Sequence, residues 1–474
     1  MPQAPSNVFL RSPFGWLAAM SWVLAAVAPC AEAQDTESPR YRFGLELKAN
    51  WRDSEAQRFQ SPFPFPDDFL PPDQLLLPPA QRHGFLETVD AGSHVEISVV
   101  TLRFEANWSP VWAAKVKLDF IDRYDRNPSS AGDDFDVDEA WLRWGREIDG
   151  GGAPAEHRAI YAKLGKFGRF ERQDDRHLES YGLISTAFNR FEDVGLEMGI
   201  DFTRNLYAKV SYTQGNPLFF RDVNALAGDN GIDILNFGSP SFIKNPDPEL
   251  KTGFPIFYDT DVDFEDVDFE NPQLAVGIGW RWGGDRLTSD VMVWGRRRDL
   301  AETFEFDGTF YGGDLDLLRG PGNAFSLGIS GKDKRELGAN LWLYSGPWSV
   351  FGQYVDQELA GLARKGFEVE LARSFELPLW AAAGGRQLFS WLAPAVRYLE
   401  MDNEPFGGSP QYPGISVRWD WTKLDLGFRL GLWENMDLTA EWAAVEFETA
   451  SGFKDSVDEL LVTLRLGIER GWGR

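Results

Sequence analysis

Hydrophobic and polar residues alternate along most of this chain with a period of two rather than 3.6. At that spacing a strand turns successive side chains to opposite faces. From Asp458 to Trp472 one parity reads Leu460, Val462, Leu464, Leu466, Ile468, and the other reads Glu459, Leu461, Thr463, Arg465, Gly467, Glu469. One face suits lipid and the other suits water. The same split sets Leu196, Met198, Ile200 and Phe202 against Gly195, Glu197, Gly199 and Asp201. It sets Leu274, Val276, Ile278, Trp280 and Trp282 against Gly277, Gly279 and Arg281, and Leu424, Leu426, Phe428, Leu430 and Leu432 against Asp425, Gly427, Arg429 and Gly431.

Sixteen segments carry the pattern: 40–50, 94–108, 111–122, 135–145, 157–167, 192–202, 205–214, 272–282, 286–298, 335–345, 348–357, 365–374, 391–400, 415–432, 435–448 and 458–472. In 415–432 the apolar parity switches near Thr422, which predicts a bulge there or a strand reaching beyond a membrane. The connections alternate long and short. Short ones are W-S-P at 108–110, T-R-N at 203–205, G-G-D at 283–285, S-G-P at 345–347 and W-E-N at 433–435. Two more expected short turns, near 146–156 and 375–390, are longer than the rest. Long connections span 51–93, 168–191, 215–271 and 299–334. A soluble sandwich has no reason for this alternation. The pattern predicts a transmembrane antiparallel β-barrel of about sixteen strands, with short periplasmic turns, long external loops and both termini in the periplasm. A closed barrel leaves no unpaired edge, which lipid would not tolerate.

The N-terminus agrees. Arg11 precedes the apolar stretch Phe14–Ala28, and Ala31-Glu32-Ala33 follows it. These are the three parts of a cleavable signal peptide, which makes 1–33 the signal and 34–474 the barrel, in a bacterial outer membrane. A lipoprotein anchored at Cys30 is the rival reading, opposed by Pro29 next to it. Cys30 is the only cysteine, so the barrel segment has no disulfide and no thiolate metal site. His83, His94, His157 and His177 show no ligand spacing, and no metal or cofactor is expected. Aromatics make up 14%, with 19 Trp and 47 Gly, as suits aromatic girdles around a polar interior. A net charge of −26 argues against a nucleic-acid partner.

Residues 161–201 read YAKLGKFGRFERQDDRHLESYGLISTAFNRFEDVGLEMGID. The stretch resembles the phosphate-selective porin O and P family. There a strand ending G-x-F enters a partly helical loop, followed by Arg, a short gap and a G-V/L strand. Gly165, Lys166 and Phe167 match the first part; Arg190, Gly195 and Leu196 match the second. Gly168, Arg169 and Phe170 stand where the family has Pro-Phe-Gly, and Trp472 is followed by Gly473 and Arg474 where such barrels end on an aromatic. The resemblance implies an outer-membrane channel, with basic side chains at its constriction, for small hydrophilic solutes and anions such as phosphate. It also implies a homotrimer, and insertion into outer-membrane lipid by the barrel assembly machinery.

The loop after the fifth strand, 168–191, is expected to fold inward and narrow the pore. It carries Arg169, Arg172, Arg176 and Arg190, interleaved with Glu171, Asp174, Asp175 and Glu179. Opposed charges at a constriction select ions by charge and size, although these arginines could instead pair with acids and brace the loop. Inward parities add Arg103, Lys115, Lys117, Arg143, Lys163, Lys209, Arg281, Arg397, Arg429 and Arg465 as lumen-lining cations. Glu105, Asp119, Glu139, Glu197, Asp425, Asp437 and Glu441 share their faces.

Two further features point elsewhere. Asp259, Asp261, Asp263 and Glu270 have the spacing of an EF-hand loop, but Phe264 occupies the position that needs Gly, so at most loose divalent binding is expected. No catalytic motif is present. His177 with Ser180 or Ser185 is the one local hint of an outer-membrane hydrolase, and a non-catalytic barrel component of an envelope complex is the other alternative.

Overall fold

A computed structural model describes residues 40–55, 58–60, 76, 85–87, 92–109, 111–122, 136–148, 151–173, 176–180, 182, 188, 192–215, 218–220, 257–258, 269, 271–284, 286–299, 307–308, 333–359, 362–377, 388–404, 420–433, 435–448, 452 and 454–472. Its long strands are β1 (Arg40–Ser54), β2 (Gly92–Ser109), β3 (Trp112–Asp122), β4 (Asp136–Gly145), β5 (Ile160–Phe167), β6 (Asp193–Asp201), β7 (Leu206–Thr213) and β8 (Gln273–Gly284). They continue with β9 (Leu287–Asp299), β10 (Asp333–Ser345), β11 (Trp348–Leu359), β12 (Leu362–Arg373), β13 (Trp391–Asn403), β14 (Asp420–Gly431), β15 (Met436–Glu448) and β16 (Lys454–Trp472). Each of the sixteen periodic segments coincides with one strand.

Every strand pairs antiparallel with its neighbours in sequence. β1 then pairs β16, from Tyr41↔Trp472 to Ser54↔Glu459. The sheet is therefore a closed sixteen-stranded barrel without a free edge.

The burial pattern is inverted relative to a soluble protein, which hides its apolar residues. On β8, Leu274, Val276, Ile278, Trp280 and Trp282 are exposed, whereas Gln273 and Arg281 are buried. β9 repeats this, with Val291 and Val293 outward and Asp290, Arg296 and Arg298 inward. An outward apolar band and an inward polar face define a transmembrane barrel, in which the outer side chains bury themselves in acyl chains.

Register shifts fall between Lys48 and Ala49, Val100 and Thr101, and Lys117 and Leu118, all in the wall β1–β4. The bulge expected near Thr422 is absent: β14 pairs both neighbours without a shift. The parity switch there arises because Trp421 is buried on the inner face, its ring 5.4 Å from that of Phe447.

The start of β1 and the end of β16 lie at one end of the barrel, with the connections 110–111, 146–159, 202–205, 285–286, 346–347, 374–390 and 432–435. We call this the terminal end and the other the loop end. Most connections at the loop end are long, but β15 and β16 are joined there by 449–453 alone. β11 and β12 extend toward each other as far as Leu359↔Leu362, leaving only 360–361 between them. The acidic run 259–268 lies outside the described residues, as do 1–39 with the signal and Cys30.

Candidate functional site: the bore and the segments that cross it

The bore is shaped first by where β5 ends. Gly165 opposes Gly195 in register and has φ +132. A Cβ there would collide with the Ala140 carbonyl, so only glycine lets the strands coil this closely. Beyond Phe167 the chain leaves the wall and crosses the interior. Among the described residues of 168–192 there are turns and bends but no helix.

This outer strap is fastened to the far wall by ion pairs. Glu171 receives both the Nε (2.6 Å) and a terminal nitrogen of Arg296 on β9. Its carbonyl accepts from Asn340 (2.5 Å, β10) and Gln353 (2.8 Å, β11). Arg169 reaches Glu336 on β10 at 2.9 Å and lies 3.3 Å from Glu171. Gln173 donates to the Gly352 carbonyl on β11 at 2.8 Å. Arg176 meets Glu368 on β12 at 2.8 Å, and His177 donates its backbone N–H to Glu370 at 2.8 Å. Leu178 packs against Ala372 and Ala395. The backbone N–H groups of Glu179 and Ser180 both donate to Glu441 on β15. The Glu179 carboxylate pairs with Lys48 on β1 at 2.7 Å. The strap thus touches β9 through β15 and reaches β1.

The expected inward loop is therefore present, and its arginines are placed as follows. Arg169 is buried, and both its acidic partners are buried with it. Arg172 pairs with Glu192 and keeps 31% of its side chain exposed. Arg176 pairs with Glu368 of the wall. Arg190, Asp174 and Asp175 lie outside the described residues.

Nine of the ten cations expected to line the lumen have a carboxylate near them on the inner face. Lys115 meets Glu139 (2.7 Å), Lys117 meets Asp138 (2.5 Å) and Asp119 (3.2 Å), and Arg143 meets Glu147 (2.5 Å). Lys163 bridges Glu147 (2.8 Å) and Glu197 (3.0 Å), and Arg281 holds Asp201. Arg397 and Arg429 bind Asp425 and Asp437, each at 2.8 Å, and Arg465 lies 3.5 Å from Glu46. Lys209, on β7, is buried within electrostatic reach of Glu147. The exception is Arg103, which has no ion pair among the described residues; its register partners are Gly44 and Lys117.

A second segment enters the bore from the terminal end, at one of the two expected short turns that are longer than the rest. Residues 146–159 form an inner strap. Gly151 donates its N–H to Asp290 on β9 at 2.9 Å. Its φ is +75, and a Cβ there would sit 2.9 Å from the Trp342 ring on β10. Ala155 exchanges bonds with Arg204, donating to its carbonyl at 2.8 Å and accepting from its Nε at 2.9 Å. Ile148 is buried. The signal for this strap was its length, since a hairpin at that end needs only two to five residues.

Titration follows the packing. Burial alone would raise Glu147, but Lys163 and Arg143 outweigh it and bring its pKa down to about 2. Glu179 is likewise held below the usual carboxylate range, with Lys48 and Arg429 overcoming burial. Glu192 is pushed well above that range by burial and then by Asp138, which together outweigh Arg172 and Lys117.

The candidate hydrolytic pair does not assemble. His177 Nδ1 faces Glu370 at 3.0 Å, whereas the Ser180 hydroxyl accepts from Arg397 (2.6 Å) and Lys423 (3.1 Å). Ser185 lies outside the described residues. No grouping of His, Cys, Asp and Glu suited to a metal occurs among the described residues.

The molecule is thus a transmembrane β-barrel whose bore is crossed by a segment from each end. Among solved structures it is similar to OmpT, an outer membrane protein of Vibrio cholerae, at 11% identity over 92% of this chain and 100% of that chain, with a TM-score of 0.43. It is similar to OprB of Pseudomonas putida at 10% identity over 96% of this chain and 97% of that one, TM-score 0.45. It is also similar to the outer membrane channel DcaP of Acinetobacter baumannii at 8% identity over 91% and 98%, TM-score 0.46. No family model and no curated protein matches the sequence.

Proposed function

We propose that the chain is an outer-membrane porin, a passive diffusion channel through which small hydrophilic solutes cross in water. One observation carries this reading. The bore is lined by charged side chains that remain partly hydrated, Arg172 and Arg465 at 31% and 35% exposure among them, although a strap narrows it. A closed barrel with a hydrated, charged interior is the requirement for selective diffusion.

The resemblance at 161–201 supports anions such as phosphate as the finer specificity, and supports a homotrimer delivered by the barrel assembly machinery after signal-peptide removal. The filter is the outer strap, which presents Arg172 to the bore, together with the partly exposed lumen cations; Arg169 and Arg176 fasten the strap to the wall. Against strong anion preference stands the close pairing of those cations with acids.

The test is conductance of the purified barrel in a planar bilayer, with reversal potentials in a salt gradient. Discrete ion-conducting steps are expected, with reversal on the anion side. A barrel that never conducts overturns the channel and favours a structural component of an envelope complex. A cation-side reversal overturns the anion refinement alone.

A further inference from the structure

Two straps enter the bore from opposite ends, and they do not cover it evenly. On the wall from β5 to β13, and at Lys423 and Asp425 of β14, the inward charges are closed off from water. Glu336, Glu368, Arg397 and Asp425 each have a side-chain exposure of 0%. On the wall formed by β16 and β1–β4 several inward charges stay wet, although Arg52 and Glu459 near the loop end, and Asp119, are buried. Arg465 is 35% exposed, Glu46 24%, Lys117 21% and Lys115 17%. Both sets of side chains occupy the inner face of the same barrel, so the difference lies in what covers them.

The coverage meets at Met292. This β9 residue is 1% exposed. A Cβ built on neighbouring Gly277 would meet both its Sδ (3.3 Å) and Phe170 of the outer strap (2.7 Å). One register step toward the terminal end, Asp290 holds Gly151 of the inner strap. Seen along the bore, Phe170 lies on one side of Met292, and Trp342 with Gly151 on the other.

We propose that the inner strap, 146–159, is a second constriction that seals the β5–β10 side of the lumen. Permeating solute is then confined to an off-centre path along β16 and β1–β4. The path runs past Lys48 and Glu46, then Arg103 with Lys117 and Glu139, then Glu105 with Lys115, and leaves beside Arg143 and Glu147, all partly exposed on the inner face. Gly44, opposite Arg103, adds no side chain to the path. Glu147 has two roles: it pins the strap to Lys163 and Arg143, and it presents a carboxylate at the exit. The residues that discriminate solutes are consequently those of this wall together with Arg172 and Glu147. Arg169, closed off among its acids, anchors the outer strap.

This inference rests on the channel reading, and the experiment separates the two. In a Cys30→Ser background, Lys115→Cys and Met292→Cys are made one at a time. Each barrel is reconstituted in a planar bilayer and treated with a charged, thiol-reactive methanethiosulfonate. Modification of Lys115→Cys is expected within the recording, with a lasting step down in conductance. Met292→Cys is expected to stay unmodified, although Met292 also faces inward. Adding Gly151→Val, or the milder Asp290→Asn, should lift the strap, raise conductance, and make Met292→Cys reactive. Equal reactivity at both positions in the intact barrel, or an unchanged Met292→Cys after either strap substitution, overturns the off-centre path while leaving a channel. A parent barrel that does not conduct overturns the channel itself.

Discussion

Arg296 and Glu171 show what a single contact does in this bore. The pair is bidentate and buried, and the Glu171 carbonyl is held by two more donors. Removing one partner strands a charge away from water, which costs about 3–5 kcal/mol. Arg296→Ala should therefore lower the unfolding temperature of the detergent-solubilised barrel and raise conductance as the outer strap loosens. Arg296→Lys keeps the charge and loses the fork, so it should fall between the two. Titration gives two further expectations. The pKa of Glu147 is depressed in the folded state, so its stabilisation is present above the ordinary carboxyl range and is lost as pH falls toward about 2. The inner strap should keep conductance steady between neutral pH and pH 4, as conductance against pH will show. Glu192 has the opposite sign. Its folded pKa is raised, so it costs stability as pH rises from the unfolded carboxyl range upward. Glu192→Gln should remove that part of the loss on going from pH 5 to pH 8, measured by thermal melts. These partners could not be read from the chain: Arg169 and Glu336, or Arg176 and Glu368, are more than 160 residues apart in sequence.

Among the elements, the strands were legible because lipid and water impose opposite requirements on alternate residues. Ile278 and Val293, neighbours in register, both face outward and are exposed. Ile278→Lys would place a cation among acyl chains and should cost about 2–4 kcal/mol near mid-bilayer, read as reduced refolding into vesicles in a urea titration. Met292→Gln, one step across the strand pair, should cost much less in that assay because it faces inward. The straps were legible only in part. Arg and Glu interleaved at 169–179 marked an inward loop, because charge on both parities does not suit lipid or a tight turn. The stretch 146–159 has no such periodicity. Only its excess length and its glycines hinted that it folds back into the barrel, and the Gly151–Trp342 contact depends on a tertiary approach. At β14 the alternation misled, because Trp421 turns inward and packs, tilted, beside Phe447.

At the scale of the whole molecule, closure came from the alternation of loop lengths and the even strand number. The pairing of β1 with β16 over their length is the structural counterpart. The charge balance was a poorer guide. An acidic chain lined by many basic residues suggests either sign of selectivity until the pairs are known. They leave little net field in the covered part of the bore, and a wet mixture of both signs along one wall.

The inner strap also separates two demands on this protein. Its fourteen residues, 146–159, hang from β4 and β5 without entering the lipid-facing surface. Insertions, deletions or exchanges there can reshape what passes while leaving fit to the bilayer and assembly of the barrel untouched. Under the proposed channel function, selection on permeation and selection on membrane insertion can thus act on different letters of the gene. Lineages in new habitats can retune permeability by lengthening or shortening one turn, without rebuilding the wall.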